Sequence, residues 1–211
     1  MWREATADRG RVAALFASHV AATTVFLTLM NAATLFGYWA QTSWVPAYLA
    51  LEPARGGIGL SSGTMSLFVI AMQVGMWFGY VSFGFIADAI GRKATYVGFI
   101  SGAALLLPLY GILRAPTALL LLGPFVAFFG TGFFSGFSAI ASELFPTEVR
   151  ATAMGLSYNI GRGLSAAAPG IVGLLAARFG LGSAFFLQAA AFLAAALLAL
   201  GLPETRGKQL D

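Results

Sequence analysis

Of the 12 lysines and arginines in this chain, only Arg162 lies well inside a long apolar stretch. Its position about 11 residues into that stretch puts it roughly 16 Å deep in a helix rising 1.5 Å per residue. A charge at such depth is costly and faces a cavity or a partner. Tyr158, Asn159 and Ser165 fall at helical spacing beside it and make one polar face. A guanidinium can grip a carboxylate through two parallel hydrogen bonds, so this set reads as a contact for an anionic solute. The same residue also reads as a cation that snorkels to a surface from a helix starting later, or as a partner of Glu143.

A second polar cluster is the short segment GFIADAIGRK, residues 84–93. Gly84 allows close helix contact, and Gly91 permits a left-handed turn between helices. Asp88 can accept from the free amides of a neighbouring helix N-terminus, where the dipole favours an anion. Arg92 and Lys93 hold the turn at a membrane surface.

The elements that position these residues follow from composition. The 211 residues are 59% hydrophobic and 9% charged, with a mean hydropathy of +0.84. Soluble domains carry about 25% charged residues, so the solvent for most of this chain is lipid. A spanning helix takes about 20 apolar residues. Six such spans are expected, at about Val20 to Trp44, Thr64 to Ile90, Thr95 to Leu113, Thr117 to Ser142, Ala151 to Ala177 and Ser183 to Leu202. The fold class is thus an all-α membrane protein: residues 1–19 form a cytoplasmic N-terminal segment, 20–202 the bundle and 203–211 a cytoplasmic tail.

Loop charges give the orientation. Arg3, Arg9, Arg11, Arg92, Lys93, Arg150, Arg206 and Lys208 fall on one side, and Arg55, Arg114 and Arg178 on the other. Both termini are therefore expected in the cytoplasm. His19, at the start of the first span, reads as an interfacial histidine. Gly75 with Gly79, and Gly132 with Gly136, are small-residue pairs suited to helix packing. Pro108, Pro124 and Pro169 lie within spans. Gly84, Asp88 and Gly91 share their spacing with Gly173, Ala177 and Gly180, as an inverted repeat of three helices would require.

Several function classes find no support. The bases form no patch with interleaved aromatics, so nucleic acid is not an expected partner. No nucleotide loop, metal-ligand cluster or nucleophile beside a base is present; neither enzyme activity, a cofactor nor a metal is expected. Cysteine is absent.

GFIADAIGRKA resembles the loop signature G-x-x-x-D-x-x-G-R-K/R of the major facilitator superfamily, which follows the second helix of each six-helix half. SELFPTEVRATAMG (142–155) looks like the loop between the tenth and eleventh helices in its sugar-porter and metabolite–proton symporter branches, the latter including carriers of aromatic acids. LPETRG (202–207) is similar to the motif after their twelfth helix. The resemblance covers nearly the whole chain. It implies the C-terminal half of a twelve-helix fold, built as two inverted three-helix repeats.

By that resemblance Gly84, Asp88, Gly91, Arg92, Glu143, Arg150, Glu204 and Arg206 form a cytoplasmic gating network, with Asp88 docking on the opposite half. A pair between Glu143 and Arg150 across Pro146 is feasible. The first helix of each repeat lines the cavity in this superfamily, which makes Asn31, Tyr38 and Gln41 candidates beside Tyr158, Asn159 and Arg162, with Ser135 and Ser138 in the fourth span. Such residues also serve as interhelical glue. The glutamine pair, tyrosine pair and Gly-Pro-x-x-Trp stretch of sugar porters are missing: Gly123 and Pro124 are followed by Phe125, Val126 and Ala127. Arg162 tilts the substrate toward a small organic acid, such as an aromatic acid. Proton-coupled symport in a bacterial inner membrane is implied, with the coupling carboxylate in an N-terminal half that this chain lacks. A sugar or polyol carrier, or a non-transporting fragment needing a partner half or second copy, are the alternatives.

Overall fold

The computed structural model describes residues 15, 16 and 20–207. The expectations for Arg3, Arg9, Arg11, His19, Lys208 and most of the N-terminal segment lie outside these residues.

Among the described residues, eight α-helices build six spans: α1 (Ala21–Ala50), α2 (Ser62–Ile90), α3 (Arg92–Ile112), α4 (Pro116–Thr131), α5 (Phe133–Leu144), α6 (Thr147–Ser165), α7 (Ala168–Phe179) and α8 (Leu181–Leu200). α4 and α5 together form the fourth span, and α6 and α7 the fifth. All six spans are long and apolar enough to cross a membrane. Local chemistry sets the ends. Ser61 accepts from the Thr64 amide at 3.3 Å to open α2, and Pro116 stands in the first turn of α4, where its missing N–H costs nothing. α1 runs six residues past the expected end at Trp44, because Pro46 is carried inside the helix. Pro169 lies within the fifth span, as expected, and stands in the first turn of α7.

The packing pattern carries the repeat. The principal contacts pair the first span with the fifth and sixth, the fourth with the second and third, and the third with the sixth. Exchanging spans one, two and three with four, five and six maps that set onto itself. This is the relation that two three-helix repeats about one axis require.

Close approach depends on glycine at the crossing of α2 and α4. A Cβ at Gly75 would stand 2.1 Å from the Pro124 carbonyl oxygen, and one at Gly79 2.4 Å from that of Phe128. Gly132 and Gly136 similarly face the rings of Phe99 and Phe83. Gly84 differs from its expected role: it is exposed, and nothing lies within 4 Å of where its Cβ would be. It sits on the outward side of α2, away from the packed side that holds Phe83 and Ala87.

At the end opposite the GRK turn, Tyr48 donates to the Leu113 carbonyl at 2.8 Å. Arg114 donates to the Gly56 carbonyl at 2.8 Å and lies over the Tyr48 ring. The loop after α1 is thereby folded onto the end of α3. α2 presents Leu67, Ile70, Val74, Trp77, Phe78, Val81 and Phe85 outward, an apolar stripe suited to lipid or another helical surface.

Candidate functional site

Two polar regions stand out, one at the helix ends near Gly91 and one along the middle of the bundle.

The first is a reciprocal clasp between α3 and the segment after α8. Gly91 has φ +108°, which lets α2 end and α3 begin without an intervening loop. The Glu204 carboxylate sits over the start of α3. Its Oε1 accepts from the Arg92 amide at 2.9 Å and its Oε2 from the Lys93 amide at 3.2 Å. Oε1 also accepts from the amides of Thr205 and Arg206. In return, Lys93 Nζ donates to the carbonyls of Leu200 at 2.7 Å and Leu202 at 2.8 Å. An anion caps a helix N-terminus and a cation caps a C-terminus, each where the macrodipole favours it.

Arg92 extends the clasp. Its Nη1 donates to Asp88 Oδ1 at 2.6 Å and to the Ala87 carbonyl at 3.0 Å, and its Nε donates to Glu143 Oε1 at 3.2 Å. The Thr205 hydroxyl donates to Glu143 Oε2. Asp88, Arg92, Glu143 and Glu204 are thus brought together, through contacts other than those the sequence suggests. Glu204, not Asp88, occupies the helix N-terminus. Asp88 lies in the last turn of α2, and its side chain, 72% exposed, is engaged by Arg92 four residues on. The expected pair across Pro146 is replaced, among the described residues, by Arg150 Nε donating to the Phe145 carbonyl at 3.3 Å. Arg206 enters through its backbone N–H. Lys93 and Thr205 were not among the expected members; Lys93 reads in sequence only as a surface base, because its partners are carbonyls that no side-chain pattern reveals.

Burial opposes the charge on Glu204, but the amides of Arg206, Arg92, Thr205 and Ala94 outweigh it and hold the carboxyl below the ordinary value of 4.5. A depressed pKa contributes stability that is complete above the unfolded value and lost as pH falls through the folded one. Thermal unfolding of the purified chain across a pH series is therefore expected to show an advantage over Glu204→Gln that is constant above 4.5 and shrinks below it. A difference that grew on acidification would contradict the cap.

The second region is a band of clefts. One of about 250 Å³ lies between α1, α2 and α4 and includes Tyr38, Gln41, Gln73 and Thr131. A shallower one of about 450 Å³ shares Tyr38 and adds Tyr80, Phe134 and Ser135. A third, of about 390 Å³, shares Phe134 and adds Asn31, Ser138 and Tyr158. Six expected cavity residues therefore line these three clefts, which adjoin at Tyr38 and Phe134. Gln73, Tyr80 and Thr131 were missed, although Gln73 and Tyr80 stand seven apart on one face of α2, a spacing the sequence displays. Asn31 also acts as glue: its Nδ2 donates to the carbonyls of Ser157 at 3.2 Å and Tyr158 at 3.4 Å. Gly161 makes room for it.

Asn159 and Arg162 lie outside these three clefts, on the exposed side of α6. The expected polar face divides, since Tyr158 turns to the third cleft and the Ser165 hydroxyl bonds the Arg162 carbonyl at 2.8 Å. Asn159 bonds its own helix through the Gly155 carbonyl. The fifth span begins at Thr147, earlier than expected, so Arg162 is about 15 residues, or roughly 22 Å, from its start. That places it about midway along a 33-residue span, in a helix that starts earlier than expected. Glu143 is engaged by Arg92 and Thr205 instead. Among the described residues, the Arg162 guanidinium has no protein acceptor.

Comparison with known proteins bears on this arrangement. The family model described as Major Facilitator Superfamily matches residues 9–210. The cis,cis-muconate transport protein of Acinetobacter baylyi is 34% identical over 182 residues, covering 83% of this chain and 41% of that protein. A protein of Cupriavidus pinatubonensis, named as a probable 4-methylmuconolactone transporter, is 31% identical over 218 residues, covering 99% and 48%. This chain therefore spans less than half the length of either relative. A crystal structure of a mutant peptide transporter POT in complex with alafosfalin superposes with a TM-score of 0.68 at 19% identity, over 84% of this chain and 37% of that one. That likeness concerns the fold alone. With six spans in two exchange-related triplets and a family match over nearly its full length, this chain belongs to the Major Facilitator Superfamily.

Proposed function

We propose that this chain forms the C-terminal half of a secondary carrier for a small organic acid, such as an aromatic acid, moved by proton symport. The observation that carries this reading is Arg162, an exposed guanidinium without a protein acceptor among the described residues, near the middle of a membrane span. A cation kept at that depth is explained by an anion that comes and goes. The named substrates of the two relatives, muconate and methylmuconolactone, accord with an organic acid or its lactone. A second six-helix body, whether a further segment or another copy, completes the cavity across from the band of clefts. In this reading both termini face the cytoplasm of a bacterial inner membrane. The charges around Arg92 then bias the rocking of the two bodies through contacts that differ between states.

Uptake of labelled benzoate and cis,cis-muconate by cells with the gene at its native locus, compared with a deletion strain, tests the proposal. Uptake of at least one acid is expected to fall in the deletion strain and to collapse when a protonophore dissipates the gradient. Equal uptake by both strains overturns the carrier; gene-dependent uptake indifferent to the protonophore overturns the coupling.

A further inference from the structure

Arg55, Arg114 and Arg178, at the end opposite the GRK turn, come one from each connection there, and all three are exposed. The start of α8 gathers them. Arg114 Nη1 holds the carbonyl of Gly56, the residue after Arg55, at 2.8 Å. A Cβ at Gly56 would stand 3.7 Å from the Leu181 amide nitrogen, and one at Gly182 3.4 Å from the Gly111 carbonyl oxygen. Arg178 lies in the last turn of α7, just before Leu181. Among the described residues Glu52 is the only acid at this end, and no ion pair joins it to these arginines. A collar of apolar side chains adjoins the charges on the bundle side. Leu109 and Ile112 are exposed in the last turn of α3 before Arg114, and Leu174 one turn before Arg178 on α7. The Arg178 guanidinium sits 5.4 Å over the exposed Phe179 ring. Long basic side chains that run over apolar surface place their charge at the headgroup level of a membrane.

We propose that this basic rim around the start of α8 binds the phosphate of an anionic phospholipid, with the exposed apolar side chains of α3 and α7 against its acyl chains. The guanidiniums of Arg55 and Arg178 have no protein acceptor among the described residues, and Arg114 commits only Nη1, to Gly56 and the Tyr48 hydroxyl. Charged donors left open in this way suit phosphate oxygens. A free anion would use the arginines and gain nothing from Leu109, Ile112 and Leu174, whereas an amphiphile meets both. A lipid seated there ties together the loop after α1, the end of α3 and the turn between α7 and α8. None of these residues lines the three clefts, so the site does not depend on what the chain carries.

The test compares dioleoyl-phosphatidylglycerol, dioleoyl-phosphatidylcholine and glycerol 3-phosphate on the purified chain in detergent, with affinities taken from ligand-dependent thermal unfolding. The two lipids share their acyl chains and differ in net charge; the third probe is an anion without chains. One base near an anionic lipid surface is worth about fivefold in affinity, so three give a preference for phosphatidylglycerol over phosphatidylcholine of about a hundredfold. Arg55→Gln and Arg178→Gln are each expected to lower that preference about fivefold, and the double variant about twenty-fivefold. Arg114 stays in place because it also holds the loop after α1. Unchanged affinity for phosphatidylcholine shows that the variants keep their fold, and Arg55→Lys with Arg178→Lys should retain most of the preference. Equal affinity for the two lipids in the unaltered chain overturns the site, as does a preference that survives the double Gln variant. Glycerol 3-phosphate binding as tightly as phosphatidylglycerol would make this a site for free anions and overturn the lipid.

Discussion

Arg162→Gln is expected to lower uptake of the organic acid about a hundredfold and to leave the protein at least as stable. The two effects have separate origins. A charge-assisted hydrogen bond contributes about 1.5–3 kcal/mol, and 1.4 kcal/mol is tenfold in an equilibrium constant. Loss of a two-pronged grip on a carboxylate therefore costs roughly two orders of magnitude. The stability term has the opposite sign. A cation at the centre of a span costs about 2.5–3.5 kcal/mol on insertion scales, and among the described residues no protein acceptor offsets it here. Glutamine retains length and polarity without that cost. Arg162→Lys keeps the charge but loses the planar fork, so an intermediate loss of about tenfold is expected. Uptake rates in cells and thermal unfolding of the purified variants check this. If uptake and stability fall together, Arg162 is a structural residue and the anion contact is lost as an explanation. If Arg162→Lys transports normally, charge alone suffices and bidentate recognition is wrong.

The contrast between Arg162 and Asp88 shows what can be read from this chain without coordinates. Hydrophobic run length places all six spans, because lipid imposes one period and one length on each. It also exposes Arg162, since a base within an apolar run is visible on one line of sequence. Pairings across 51 to 112 residues are not visible in that way. Asp88 and Glu204 are both acids near helix ends, and only the packing of α3 against α8 decides that Glu204 meets the free amides. Lys93 caps α8 through backbone carbonyls, which every residue carries, so its partners leave no side-chain signature. α1 continues past the expected end at Trp44 to Ala50 with Pro46 inside it, because neighbouring helices in a membrane protein can support the backbone that proline frees. Gln73 and Tyr80 show a different failure: their spacing is plain, but the face they mark has meaning only once α2 is seen beside α1 and α4.

Two glycines of one signature are expected to respond to alanine with opposite signs. Gly91→Ala should destabilise the bundle by about 2–4 kcal/mol. At φ +108° and ψ 153° the residue occupies a region that is essentially glycine-only, and forcing a side chain there costs about 1–3 kcal/mol. Its new Cβ would also stand 2.6 Å from Glu204 Oε2, so the carboxylate must leave the α3 N-terminus, and loss of such a cap costs about 1 kcal/mol. Gly84→Ala meets nothing within 4 Å and replaces a glycine in the interior of α2. Alanine is favoured there by about 0.5–1 kcal/mol, so stability should rise. Denaturant unfolding of both variants in micelles measures the difference. A cycle with Glu204→Ala divides the Gly91 effect: backbone strain remains when Glu204 is gone, whereas the displaced cap vanishes as a coupling of about 1 kcal/mol. Zero coupling would mean that Gly91 serves the turn alone and that the approach of Glu204 to α3 does not depend on it. Destabilisation by Gly84→Ala in the isolated chain would mean that a packed neighbour of α2 lies at a position where the structure has open space.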